Sequence, residues 1–280
     1  MIRILGIDLS LHPLFVIIML FSVLTGQFLE LITLFTIVLI HEIGHVVAAL
    51  LVGVTVKSVQ LLPFGGVAVI EDHGRLTASR EIGIALAGPL QNGIMIVMAL
   101  GLQQAGYGNQ EFLIYFINAN AIIALFNLLP VLPLDGGKVL QATVSLFLPY
   151  YYTLLWSGRV SVAASIFVIV YALLPLGAGG GLRLNMVMIG AFLLYSNLTD
   201  HRNLPYRFVA FLMNREAVYE YHLRTGSVAR PIVALSAKPL DAILRLFKRN
   251  QYHFIYVLNG EGNVVAVVPE QRLISTYFGM

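Results

Sequence analysis

The sequence predicts a polytopic α-helical membrane protein of about six transmembrane helices, with a membrane-associated β-hairpin and a small C-terminal α/β domain. Three observations predict it. Of 280 residues, 58% are hydrophobic and 11% charged, with a mean hydropathy of +0.84, which excludes an ordinary soluble domain. The apolar residues gather into runs near the ~20 residues that a bilayer crossing needs. The charge is also divided: residues 201–280 hold ten Lys/Arg against five Asp/Glu, a net of +5, whereas residues 1–200 hold seven against nine, a net of −2. A basic tail of this kind marks the cytoplasmic side of a membrane protein.

The runs fall near 11–24, 28–52, 82–104, 111–129, 154–174 and 184–199. The first has His12-Pro13 at its start and no small-residue cleavage site, so it reads as a span and not as a leader. The third follows the polar stretch Glu71-Asp72-His73-Gly74-Arg75, the fourth stops at Pro130, and the fifth carries Arg159 near its start. With the N-terminus in the cytoplasm, the outward loops 25–28, 105–110 and 175–183 carry a single basic residue, Arg183. Lys57, Arg75, Arg80, Lys138 and the tail then face inward, so both termini are expected in the cytoplasm.

Two interruptions break the pattern. Val59 to Ile70 reads as two short strands around Pro63-Phe64-Gly65-Gly66, a hairpin too apolar for a solvated loop. It is expected to dip into the membrane beside protein or a wet cavity. The stretch Asn127-Leu128-Leu129-Pro130-Val131-Leu132-Pro133-Leu134-Asp135-Gly136-Gly137-Lys138 stops a helix at its prolines and then allows a tight turn at its glycines.

The chemistry is concentrated in the second run, which contains His41-Glu42-Ile43-Gly44-His45. Polar groups at that depth are costly and tend to be functional. Histidines at i and i+4 share one helical face and can hold one zinc, with Glu42 beside them as a base toward water. The chain has no cysteine, so the ligands must come from His, Asp, Glu or water. His41 lies eleven residues before the run ends at Val52, ~16 Å at 1.5 Å per residue. The site is therefore expected below the cytoplasmic surface, within the hydrocarbon.

A catalytic zinc needs a third protein ligand and one open position. Glu30, Glu81 and Glu111 stand near span ends, and His12 and His73 read as interfacial residues. Asp135, an acid in a broken apolar segment, is the best third ligand, although the same residue type also caps helices. Asn127 fits either a substrate contact or an interhelical hydrogen bond. Ala87-Gly88-Pro89 fits close helix packing.

Together these residues resemble the site-2 protease family of intramembrane zinc metalloproteases. His41-Glu42-x-x-His45 resembles its zinc motif, and Asn127-x-x-Pro130-x-x-Pro133-Leu134-Asp135-Gly136 its second signature, whose acid is the family's third ligand. Ala87-Gly88-Pro89 with Asn92 resembles a further family element. The resemblance implies metal ligands His41, His45 and Asp135 for one zinc, catalytic Glu42, and substrate handling by Phe64, Gly65, Gly66, Asn127 and Pro133. It covers roughly residues 1–200, the expected protease domain, followed by an interfacial linker at 201–224 that includes Tyr206, Arg207, Phe208, Phe211 and Leu212.

Residues 225–280 resemble a cystathionine-β-synthase (CBS) domain: Ala229 to Ser236, an amphipathic helix near 239–249, then Phe254 to Val268. Such domains pair and can bind adenine nucleotides. Here Pro269 and Arg272 replace the usual Thr or Ser and the Asp three residues on, which speaks against a nucleotide and for a homo-oligomer through this domain. Six spans with one C-terminal CBS domain resemble the sporulation branch of the family. That implies regulated intramembrane proteolysis of a membrane-tethered sigma-factor precursor, inhibitory membrane partner proteins, residence in the cell membrane or forespore outer membrane of a bacterium, and no direct contact with nucleic acid. Two other readings compete. One is a membrane metalloprotease of another family acting on cytosolic or prenylated peptides, which usually needs a Glu ligand on a later helix that spans three to six lack. The other is a CBS-regulated transporter or receptor, for which internal repeats would speak and none is found.

Overall fold

The structure is a computed structural model that describes residues 2–4, 7–11, 26, 28–62, 65–71, 76–177, 181, 183–216, 219–220, 224, 226 and 228–279. The first expected span, at 11–24, lies outside the described residues except for Leu11, as do His12, Phe64 and His73. The chain divides into two compact units: Met1–Asp72 with Arg80–Leu129 and Leu134–Val139, and His73–Ser79 with Pro130–Pro133 and Leu140–Met280.

The first unit combines a sheet with long helices. Strands β1 (Ile2–Ile4), β2 (Ile7–Leu11), β3 (Thr55–Leu62) and β4 (Gly65–Glu71) lie side by side in that order. β1 and β2 are antiparallel, β2 and β3 parallel, β3 and β4 antiparallel. The hairpin expected around Pro63 is thus present, with Val59 opposite Ala68 and Leu62 opposite Gly65. The two N-terminal strands were not expected from hydropathy. Ile7-Asp8-Leu9-Ser10-Leu11 alternates apolar and polar residues with the period of a strand, and Leu11 ends β2 instead of opening a span.

Helix α1 (Phe28–Leu51) carries the H-E-x-x-H motif, α2 (Ala78–Gln104) holds Gly88 and Asn92, α3 (Gln110–Asn127) follows, and α4 (Asp135–Phe147) starts at Asp135. The side chains of α1 are sorted in reverse of a soluble helix. His41, Glu42 and His45 are buried, while Ile43, Val47, Leu50 and Leu51 are exposed. Such a helix suits lipid as its outer solvent. Three described helices are long and apolar enough to cross a membrane: Phe28–Leu51, Ala78–Gln104, and Tyr150–Pro175 in the second unit. The protein is a membrane protein. Helix α3, which carries Gln110, Glu111, Asn118, Asn120 and Asn127, is not among these three.

The second unit pairs α5 (Tyr150–Gly177) with α6 (Leu184–Met213). Gly190 lets the two pass closely, since a Cβ there would meet Ile169 Cγ1 at 2.6 Å. Side chains of both helices hold the loop ahead of α4: Ser161 Oγ accepts from Leu132 N–H at 2.9 Å, and Asn197 Nδ2 donates to Leu132 O at 2.6 Å. Helix α6 does not stop near 199. It continues through Pro205 to Met213, so Tyr206, Arg207, Phe208, Phe211 and Leu212 belong to the same helix as the sixth expected span.

The tail folds as β5 (Arg230–Leu235), α7 (Leu240–Leu244), β6 (His253–Leu258), β7 (Val264–Pro269) and α8 (Glu270–Phe278). β5 and β6 are parallel, β6 and β7 antiparallel. The turn between β6 and β7 puts its left-handed residue at Gly262 (φ 86°), not at the Asn259-Gly260 pair. Phe208 and Leu212 of α6 share one buried cluster with Ile232, Leu244, Phe247, Ile255 and Leu273 of the tail.

A buried ionic group closes this core. Arg215 Nη2 bonds Glu270 Oε1 at 2.7 Å and Oε2 at 2.6 Å, and also donates to the carbonyl of Gln251. His253 Nδ1 meets Glu270 Oε2 at 2.9 Å, while its Nε2 accepts from the Lys248 N–H at 3.3 Å. Breaking such a pair leaves an uncompensated buried charge, so Glu270→Ala is expected to destabilise this unit by about 3–5 kcal/mol in a denaturant titration. Burial holds the His253 pKa below its ordinary 6.5 against the opposing pull of Glu270, with Arg215 and Arg230 lowering it further. Below about pH 6.5 the unfolded chain therefore binds a proton that the folded one resists, and stability falls as pH drops. The unfolding midpoint is expected to drop more between pH 7 and pH 5 in the wild type than in His253→Gln.

Candidate metal centre

The helical period brings His41 and His45 onto one face of α1, and α4 presents Asp135 to both. His41 Nε2 and His45 Nε2 lie 3.2 Å apart, and Asp135 Oδ2 lies 3.1 Å from the first and 3.0 Å from the second. One oxygen of the Glu42 carboxylate lies within 4.8 Å of one ring nitrogen of each histidine. Exposure is 2% for His41, 6% for Glu42 and His45, and 3% for Asp135, so bulk water does not solvate the cluster.

The protons decide what the cluster is. His41 Nδ1 faces Asn92 Oδ1 at 2.6 Å, and His45 Nδ1 faces the Ile84 carbonyl at 2.8 Å. Both partners accept, so both Nδ1 atoms donate and both Nε2 atoms keep their lone pairs. Two lone pairs and a carboxylate oxygen then converge with no proton among them. Burying three acceptors face to face is unfavourable unless a cation joins them. The spacing fits one: donors at ~2.0–2.1 Å around a tetrahedral zinc stand roughly 3.3–3.4 Å apart.

Glycines make the space. A Cβ on Gly88 of α2 would stand 2.3 Å from His45 Nε2 and 2.6 Å from His41 Nε2, so the missing side chain leaves room beside these nitrogens. A Cβ on Gly44 would meet Gln91 Cγ at 2.6 Å and Ala87 O at 2.8 Å, which is what lets α1 and α2 touch. A Cβ on Gly136 would lie 2.1 Å from Leu128 O, so the start of α4 can form only with glycine next to Asp135. Asp135 is the first residue of α4, yet its carboxylate faces the histidines and the Lys138 ammonium (3.0 Å). Asp135→Asn keeps the shape and removes the charge, and is expected to weaken metal retention at least about 100-fold, beyond what losing an outer partner alone costs. Metal analysis after dialysis against a chelator measures this.

The other expected site residues are placed differently. Gly65 and Gly66 open β4, opposite Leu62 and Leu61. Asn127 ends α3 with its Nδ2 bonded to Ile123 O of its own helix at 3.1 Å. Pro133 falls in the second unit. Phe64 is outside the described residues. Asn120, buried behind Asn92, was missed by sequence reasoning, although an amide in an apolar run is a visible signal.

Residues 29–108 and 96–148 match the family model of Peptidase family M50, a stretch that includes His41, Glu42, His45, Gly88 and Asp135. Among solved structures, the Site-2 Protease from Methanocaldococcus jannaschii superimposes with a TM-score of 0.59 at 25% identity, covering 71% of this chain and 93% of that one. With this cluster and these matches the chain is a metalloprotease, similar to Peptidase family M50 and to a site-2 protease.

Within that class it is similar over nearly its whole length to Stage IV sporulation protein FB of Bacillus subtilis, 29% identical over 275 residues, or 97% of this chain and 92% of that protein. It is also 27% identical over 184 residues to Zinc metalloprotease MJ0392 of Methanocaldococcus jannaschii, spanning 62% of this chain and about half, 53%, of that protein.

Proposed function

We propose that this protein is an intramembrane zinc endopeptidase that cuts a membrane-tethered protein within or near its membrane segment, with a sigma-factor precursor as the substrate. The observation that carries the reading is the convergence of His41 Nε2, His45 Nε2 and Asp135 Oδ2 beside Glu42, on helices whose outer faces are apolar. His41, His45 and Asp135 hold the metal. Bound zinc supplies Lewis acidity that brings a water's pKa toward ~7. Glu42 takes a proton from the attacking water and returns it to the leaving amine. Apolar surroundings keep other water away.

A peptide bond in a helix is shielded by its own hydrogen bonds, so the substrate must be held extended. Among the described strands, β4 pairs with β3 on one side and ends the sheet on the other, which supports strand addition along it from Gly65 and Gly66, with Phe64 next to them in sequence. Asn127 and Pro133 flank the loop that leads to Asp135 and complete the proposed substrate set. Six spans with both termini cytoplasmic follow from the loop charges.

The strand–helix–strand–strand–helix order of residues 230–278 supports a CBS domain. On its sheet Val233, Tyr256 and Val267 stand in register, and Val233, Phe254 and Val267 are exposed, which supports pairing between copies of this chain. Inhibitory membrane partners belong to the same reading, through the likeness to a sporulation protein.

The test is co-expression with membrane-tethered sigma-factor precursors. A shortened product with the wild type and none with Glu42→Gln supports the reading, and identical processing by both overturns it.

A further inference from the structure

We propose that Asn120, acting through Asn92, is a positioning residue of the metal centre. It determines which ring nitrogen of His41 carries the proton, and so aims the lone pair of Nε2 at the metal. The inference rests on the metal-binding reading above.

The polarity of each hydrogen bond in this chain is forced by the next. The Phe116 carbonyl can only accept, so the Asn120 atom facing it at 2.9 Å is the donor Nδ2. Asn120 Oδ1 then faces Asn92, whose Nδ2 donates to it at 3.0 Å. That leaves Asn92 Oδ1 toward His41 Nδ1 at 2.6 Å, which must be N–H, with the lone pair on Nε2. Both asparagines are fully buried. Ala119, beside Asn120, packs with Ile37 and Met95, so the surroundings are apolar.

The two histidines differ in this respect. His45 is oriented by the main-chain carbonyl of Ile84, which cannot turn round. His41 is oriented by a side-chain amide, which can. With Asn92 reversed, its N–H would face Nδ1 and the proton of His41 would move to Nε2. That proton would then point among His45 Nε2 and Asp135 Oδ2, 3.2 Å and 3.1 Å away, where the cation belongs. Asn120 fixes Asn92 against that reversal. Outer partners of ligand histidines generally contribute 10–100-fold in metal affinity.

The test uses the full chain in detergent, stripped of metal and titrated with zinc against a fluorescent chelator. Elution profile and unfolding temperature check that each variant is folded. Asn120→Leu is expected to bind zinc about 10-fold more weakly and Asn92→Leu about 10–100-fold more weakly. The double variant should be no weaker than Asn92→Leu alone, because Asn120 acts only through Asn92. Asn92→Asp has two acceptors and no N–H to present, so adding it to Asn120→Leu should recover affinity, which a packing role for Asn120 would not allow. Asn120→Ala carries the same expectations should the leucine variant not fold. Unchanged affinity in Asn120→Leu, losses that multiply in the double variant, or no recovery with Asn92→Asp would overturn the proposal. A wild type that holds no zinc would overturn the metal-centre reading itself.

Discussion

Replacing Glu42 by Gln is expected to leave bound zinc at the wild-type level and to lower peptide hydrolysis by about 10²–10⁴-fold. The metal half of the expectation follows from the proposed ligand set, the converging His41 Nε2, His45 Nε2 and Asp135 Oδ2, which does not include Glu42. The catalytic half follows from position. One oxygen of the Glu42 carboxylate lies within 4.8 Å of one ring nitrogen of each histidine and the residue is 6% exposed, so it can serve a water at the proposed metal. Gln has nearly the same shape but cannot take up the proton. Metal analysis and cleavage of a tethered substrate, run on the same preparation, separate the two halves. Equal loss of zinc and turnover would move Glu42 from base to ligand.

Gly88→Ala is expected to abolish zinc retention although it adds one methyl group far from any charge in the sequence. That methyl would stand 2.3 Å from His45 Nε2 and 2.6 Å from His41 Nε2, closer than real side-chain contacts come. Neither ring can retreat easily, because Asn92 and Ile84 O hold their other nitrogens at 2.6 Å and 2.8 Å. Either α2 moves away from α1, breaking the approach at Gly44, or the ring nitrogens leave the triangle. Both routes disperse the three donors. Gly83→Ala on the same helix is the control, since a Cβ there meets nothing within 4 Å. It should hold zinc like the wild type.

The parts of this protein that were legible in the sequence are those where chemistry contradicts surroundings. His41, Glu42 and His45 stand out because ionisable groups in an apolar run need a reason, and Asp135 stands out for the same cause. The Pro63 hairpin was legible from its turn residues. Leu11 reads as part of a span because a short strand and the edge of an apolar run look alike when only hydropathy is weighed. The continuation of α6 past 199 was hidden because Asp200, His201 and Arg202 look like a boundary, whereas Arg207 pairs with Asp200 at 2.8 Å along the same helix.

Arg215, His253 and Glu270 were not legible at all. Charged residues in a polar tail read as solvated, and only the fold shows them enclosed. Gly88 and Asn120 act through distances across helices, which no spacing along the chain expresses.

In the proposed function, His41, His45 and Asp135 hold a metal and Glu42 acts as base in hydrolysis of a peptide bond inside the membrane. The most direct measurement reconstitutes the purified protein in liposomes with a membrane-tethered substrate and locates the cut by mass spectrometry. The expected results are about one zinc per chain, a cut within or at the edge of the substrate's membrane segment, loss of cleavage on chelation with recovery on adding zinc, and no cut with Glu42→Gln. Cleavage that persists in the zinc-free protein or in Glu42→Gln would contradict it.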